Sequence, residues 1–222
     1  MFKAFVTNLG KYNQGDLVGE WVEFPTTGEE MRGVLRRIGI GENDEFGCPY
    51  EEFFISDYDY DMGCLSGKLG EYENLEVINY LAGRLEDLDV WEENVFSAAV
   101  DICDDATDAV GLINLSYNLD NYQLLPDVSN DSDLGYYWIE QSGCYDTSGM
   151  GSLANYIDYE AFGRDVAMEE RGDFTSVGYV YDTGETFVAE FSGDPEDIPD
   201  EYRLWLNEEE EDDMDGIGEL IA

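Results

Sequence analysis

The sequence predicts an α+β protein: an elongated array of three small domains, α+β, mainly helical and α+β in turn, with an acidic C-terminal extension. Three observations lead there. The 222 residues are 43% hydrophobic and 14% aromatic, enough for real cores and too apolar for a disordered chain. The apolar spacing turns from mixed to helical near Gly67 and back to mixed near Asn121. Acidic residues number 53 against 10 basic ones, a net charge of −43 whose self-repulsion opposes compaction.

Residues 1–66 are expected to form the N-terminal α+β domain. "KAFVTNL" and "LVGEWVEFP" read as strands, the second stopping at Pro25. In "TTGEEMRGVLRRIGI", Thr27 and Glu30 have capping-box spacing, and Met31, Val34, Leu35 and Ile38 recur at helical intervals before Gly39. Arg32, Arg36 and Arg37 fall towards the end of that helix, where the macrodipole favours cations. "GIGENDEFG" follows a helix and feeds a polar loop, so it reads as a turn and not as a dinucleotide site. "EEFFISDYDYDMG" closes the domain as a strand in which Asp57, Asp59 and Asp61 alternate with Tyr58 and Tyr60.

Residues 67–120 are expected to form the helical middle domain. Leu75, Ile78, Leu81, Leu85 and Leu88 make one stripe, with Glu71, Glu73, Glu76, Glu86 and Asp87 mostly off it. "NVFSAAVDICDDATDAVGLINL" reads as one or two further helices, with Asp101, Asp104, Asp105 and Asp108 near i, i+3 or i+4 spacing. Like charges so placed cost about 0.2–0.5 kcal/mol per pair in an isolated helix. Residues 121–190 are expected to form the C-terminal α+β domain. "LGYYWIEQSG" reads equally as a strand or a short helix, "SLANYIDYEAFGRDVAMEE" as a helix, and "SVGYVYDTGETFVAEF" as a hairpin about Asp-Thr-Gly. In residues 191–222 one turn of helix is expected around Trp205 and a disordered charge run at the end. That extension holds 13 acids and one base. The preceding 190 residues still carry 40 acids against 9 bases, net −31, so the body is acidic in its own right.

Several chemistries fit poorly. There is no histidine and no Cys-x-x-Cys among Cys48, Cys64, Cys103 and Cys144, which argues against the usual zinc sites. Read as an EF-hand from Asp57, the loop has Met62 where glycine is needed and Lys68 in place of the bidentate Glu. Along a strand, same-face residues lie about 6.8 Å apart, too far for three neighbours to share one ion. With 53 acids a carboxylate pair carries no information about catalysis, and no nucleophile motif or phosphate loop is present. No enzyme activity, cofactor or metal is therefore expected. The N-terminus lacks a signal-like apolar run and no stretch approaches 18 apolar residues, so a cytoplasmic protein with free thiols is expected. Nucleic acid and membrane surfaces should be repelled and cationic partners attracted.

Duplex DNA carries one negative charge per roughly 1.7 Å, so 43 charges at that density span about 73 Å, or about 21 base pairs. One strand with a carboxylate every second residue reaches only about one charge per 6.8 Å. Acidic faces on several small domains in a row would be needed to imitate a duplex before a Lys- and Arg-lined groove. A halophilic protein, or an acidic chaperone-like protein binding basic partners loosely, would share this composition.

The stretches "VTNLGKYNQGDLVGEWVEFP" and "NYIDYEAFGRDV" resemble the opening and the antirestriction motif of the ArdA antirestriction proteins, carried by plasmids and conjugative transposons. The resemblance runs from about residue 3 to 181. It implies three small domains in a curved line, dimerisation through the C-terminal domain, and occupation of the DNA-binding groove of type I restriction–modification enzymes, blocking restriction and often modification. The acids named above would then form the DNA-mimic surface. Tyr156, Asp158, Tyr159, Glu160, Phe162, Arg164 and Asp165 match the motif by position. Two readings of the motif stand: Tyr156, Tyr159 and Phe162 serve association, or the segment is helix core with Arg164 paired to Asp165 or Glu160. The residues after Tyr181 go beyond the shorter relatives.

Overall fold

The computed structural model describes residues 1–205. Contacts gather the chain into two compact units: Met1–Asp87, Thr107–Ile113 and the residues from Glu190 in the first, Leu88–Ala106 and Asn114–Ala189 in the second. By these contacts the chain returns to its first unit twice.

In the first unit, strands β1 (Phe2–Asn8), β2 (Gly19–Phe24) and β3 (Phe53–Tyr60) form an antiparallel sheet in the order β2-β1-β3. Phe2, Ala4 and Val6 of β1 and Val22 and Phe24 of β2 are buried, the alternation that a one-sided sheet requires. A short helix α1 (Leu9–Asn13) follows β1, with Asn8 accepting from the Lys11 amide at 2.9 Å. Helix α2 (Gly28–Arg37) starts where expected: Thr27 accepts from the Glu30 amide at 3.2 Å, and Met31, Val34 and Leu35 are buried. Gly39, at φ 86°, turns the chain away. Arg37 reaches back from α2 to Glu20 of β2, at 3.0 and 2.9 Å, and to Glu30 at 2.7 Å. It holds the Glu20 carboxyl below its usual range.

Strand β3 contains a bulge. Val6 pairs with Ile55 and Phe5 with Asp57, so Ser56 has no partner across the ladder. Phe54 and Ile55 are consecutive and both buried, after which exposed Asp57 and Asp59 alternate with half-buried Tyr58 and Tyr60.

Helix α3 (Leu75–Glu86) is capped by Asn74, which accepts from the Glu76 amide at 2.8 Å. Leu75, Ile78, Leu81 and Leu85 are buried, but so are Glu76, Val77, Asn79, Tyr80 and Ala82. Residues 190–205 account for part of this, with Phe191, Ile198 and Leu204 buried in the same unit and contacts to Glu76, Asn79 and Tyr80. Through Trp205, then, residues expected as an extension belong to the first unit. Their helical turns are Pro195–Asp197 and Asp200–Tyr202, upstream of Trp205, and the expected disordered charge run lies outside the described residues.

Helix α3 stops at Glu86, and Asp89 opens a new helix α4 (Val90–Ala99) through a full capping box with Glu92. Helix α5 (Ala109–Tyr117) follows. The four aspartates expected at helical spacing lie in the turns between α4 and α5, where Asp108 accepts from the Gly111 amide at 2.8 Å. Aspartate competes with helix by bonding nearby backbone amides, and like charges one turn apart add to the cost.

The second unit contains β4 (Tyr122–Leu125), α6 (Asp131–Tyr136), α7 (Tyr159–Glu169), β5 (Gly172–Thr175) and β6 (Gly178–Asp182), with the antiparallel strand order β4-β6-β5. Its central strand is buried on both faces. Val180 joins Leu124 and α4 residues Val95 and Ala98, while Tyr179 joins Leu125, Val128 and Leu134 of α6. "LGYYWIEQSG" resolves as helical, as the end of α6 and a π turn at Tyr137–Gln141. The hairpin lies upstream of the position expected: β5 and β6 turn at Ser176–Val177, and residues 184–191 form no strand.

Helices α6 and α7 cross on two glycines. A Cβ on Gly163 would strike the Asp131 carbonyl oxygen, and one on Gly135 the Tyr159 carbonyl oxygen. Gly163→Ala is expected to lower stability by about 1–3 kcal/mol in urea denaturation. Gly149→Ala, which meets open space, should stay close to the parent. Glu170, at the end of α7, has its carboxyl pKa raised by burial, against a 3.4 Å hydrogen bond from the Tyr179 hydroxyl. A raised folded-state pKa favours the fold below the unfolded value and disfavours it as pH climbs past the folded one. Glu170→Gln should therefore raise the melting temperature at pH 7, with the gain fading below about pH 4.

Candidate functional site

The alternation of aspartate and tyrosine in β3 follows from its packing. Phe2 of β1 sits 6.2 Å from the Tyr58 ring and 6.1 Å from the Tyr60 ring, centre to centre. With the tyrosines on the Phe2 side, strand geometry turns Asp57 and Asp59 to solvent. Asp61, just past the strand, receives the Met1 ammonium at 3.0 Å. Because β3 is an edge strand, no further strand covers its outer side; the Ile55 amide donates to the Glu71 carbonyl at 2.8 Å, and a groove of about 460 Å³ runs between Ile55–Tyr60 and the Ser66–Glu71 segment. Tyr58 spans it, its hydroxyl donating to the Gly70 carbonyl at 2.7 Å, and burial raises its pKa. Asp57, Asp59 and Glu71 give the groove its charge.

The other acids named from the sequence divide by what they touch. Glu71, Glu86, Asp101, Asp104 and Asp105 are exposed. Asp87 is exposed beside Arg84 at 3.9 Å, and Asp108 is exposed while capping α5. Glu73 is half-buried and accepts from the Gly70 amide at 3.0 Å. Glu76 does not belong to the acidic surface: it is 7% exposed, and its carboxylate accepts from the amides of Leu204 and Trp205 at 2.8 and 3.0 Å. Its place off the leucine stripe suggested solvent; Leu204 and Trp205 cover that side of α3. Among the described residues no three His, Cys, Asp or Glu side chains converge as a metal site would require. None of the four cysteines forms a disulfide, and no described helix is long and apolar enough to cross a membrane.

The motif residues gather on α7 and its entry. Asp158 caps the helix, accepting from the Ala161 amide at 3.0 Å. The Tyr159 hydroxyl donates to Glu140 at 2.8 Å, which raises its pKa, and its ring meets Tyr136 edge-on at 5.5 Å. Phe162 meets Tyr145 at 5.6 Å and 90°. Arg164 lies 3.8 Å from Glu160 and 3.9 Å from Asp131 of α6, long and half-exposed pairs of small energetic weight. Glu160 and Asp165 point to solvent, and Tyr156, in the turn before α7, is 83% exposed. The sequence reading missed the partners Glu140, Tyr145 and Asp131, which are far away in the chain. It also missed Gly163, whose signal was a lone glycine among bulky helix residues.

No curated protein matches this chain. A family model described as antirestriction protein (ArdA) matches residues 4–181, spanning β1 through β6 up to Tyr181 and including every motif position above. The chain belongs to the ArdA antirestriction family.

Proposed function

We propose that this antirestriction protein acts as a mimic of B-DNA, presenting shape and charge to the DNA-binding groove of type I restriction–modification enzymes and thereby blocking restriction, with modification expected to fall as well. The observation that carries the reading is the exposure of ten of the twelve nominated carboxylates in a chain of net charge −43. Asp57, Asp59 and Glu71 along the groove beside β3, and Asp101, Asp104 and Asp105 after α4, leave their charge facing solvent. Such groups can pair with the Lys and Arg side chains that otherwise meet phosphates. In this reading the acid-bearing stretches are laid out as a long array, and the protein needs no chemistry of its own, no cofactor and no nucleic acid or membrane partner. It works in the cytoplasm as a homodimer associating through its C-terminal domain, residues 121–190. Exposed Tyr156, Leu153 and Met168, at 83%, 64% and 75%, support association there.

Competition tests this directly. Purified protein and duplex DNA titrated against a type I enzyme should bind in mutually exclusive fashion; a stable ternary complex would end the reading. Exposed single charges are worth about 0.2–1 kcal/mol, so Asp59→Asn should weaken inhibition by at most about fivefold. Neutralising Asp57, Asp59 and Asp61 together, and then Asp101, Asp104 and Asp105, should erode it stepwise. Complete loss from one of these substitutions would indicate a discrete site. Binding should also weaken as salt rises from about 50 to 200 mM, less steeply for the cluster variants. A non-halophilic mimic stays folded near 0.1 M salt; unfolding there would favour the halophilic alternative.

A further inference from the structure

We infer that α3 carries a peptide-binding site, filled in cis by residues 190–205 of the same chain. Two side chains one turn apart read the backbone of that segment. Glu76 accepts the consecutive amides of Leu204 and Trp205 at 2.8 and 3.0 Å. Asn79, fully buried, donates to the Tyr202 carbonyl at 2.8 Å and to the Thr26 carbonyl at 3.1 Å, and accepts from the Thr26 amide at 2.6 Å. Asn79 thereby ties the segment to the β2–α2 connection. Glu76 lies in the first turn of α3, where the helix dipole favours a negative side chain.

Apolar contacts complete the site. Phe191, Ile198 and Leu204 are 3%, 2% and 1% exposed, and the Tyr80 ring lies 5.4 Å from both Phe191 and Tyr202. Close approach is built in: a Cβ on Gly83 would enter the Tyr202 ring, and one on Gly28 would strike the Leu204 carbonyl. The segment joins neither sheet. Its shape comes from within, with Arg203 donating to the carbonyls of Pro195 and Glu196 at 3.2 and 2.6 Å and Ser192 to Asp197 at 2.6 Å. A pre-shaped segment loses less freedom on docking. The ligand class is thus an irregular peptide with two consecutive free amides, an apolar side chain at the first of them and an aromatic ring two residues earlier. The whole segment lies beyond residues 4–181, the part matched by the family model, and this inference does not depend on the antirestriction reading.

The test uses the full chain with a protease recognition sequence inserted between Ala189 and Glu190, both exposed. After cleavage the released end should co-elute with the body on gel filtration, and an excess of synthetic peptide 190–205 should displace it. In the uncleaved protein the Leu204 and Trp205 amides should be protected from hydrogen exchange. Glu76→Ala should speed their exchange about tenfold or more while the amides of β1 keep their protection. If Glu76→Ala does not fold, Leu204→Ser, which leaves both polar readers in place, should release the cleaved end. Separation of the wild-type fragment under native conditions would overturn the inference. So would exchange at Leu204 and Trp205 as fast as in free peptide, or unchanged fragment retention in the variants.

Discussion

Mutual repulsion among 53 carboxylates, offset by only 10 basic residues, is the constraint on which the rest of this structure depends. Each compact arrangement of the chain brings like charges closer, so apolar burial has to exceed the usual conformational cost and this repulsion as well. The response is visible in both units. Leu35, Ile55, Ile78 and Leu81 are almost wholly excluded from water in the first unit, as are Tyr179 and Val180 in the second. Even a four-residue strand such as β4 contributes to clusters on both faces of its sheet.

A second response is to employ carboxylates in the framework itself. Asp89 and Asp158 cap helices, Asp108 caps α5, Glu20 grips Arg37, and Glu76 binds two amides. A carboxylate accepting backbone amides near a helix N-terminus satisfies donors that would otherwise go unpaired, so its charge stabilises the local structure. The acids thus fall into two populations, one fastening the fold and one left to solvent. Only the second is available to a cationic partner.

The strands β1 to β3, the Thr27 cap with the apolar face of α2, and the leucine stripe of α3 were legible because each rests on spacing within one short window. What the sequence did not disclose depends on long separations. Nothing near Glu76 shows that Leu204 and Trp205, 128 and 129 residues away, supply its partners. Likewise Asp131, Glu140 and Tyr145 meet the motif residues only through tertiary packing. The hairpin was misplaced because Asp-Thr-Gly is the stronger local turn signal, whereas β6 pairs with the shorter run before it and with β4. The outward side of β3 after its bulge was legible, since tyrosine and aspartate differ enough in hydropathy to reveal which side faces inward.

The bulge at Ser56 has a consequence for how this edge strand can change. On either side of it the odd and even positions exchange roles: Ile55 points into the core, whereas Asp57 and Asp59, of the same parity, point out. By taking up one extra residue, the bulge therefore decides whether water meets a row of phenols or a row of anions. Pairing that ran on without the bulge would set Asp57 opposite buried Ala4 and Tyr58 opposite Lys3, turning the anions inward, whereas deletion of Ser56 would leave Asp57 opposite Phe5 and the rim anionic.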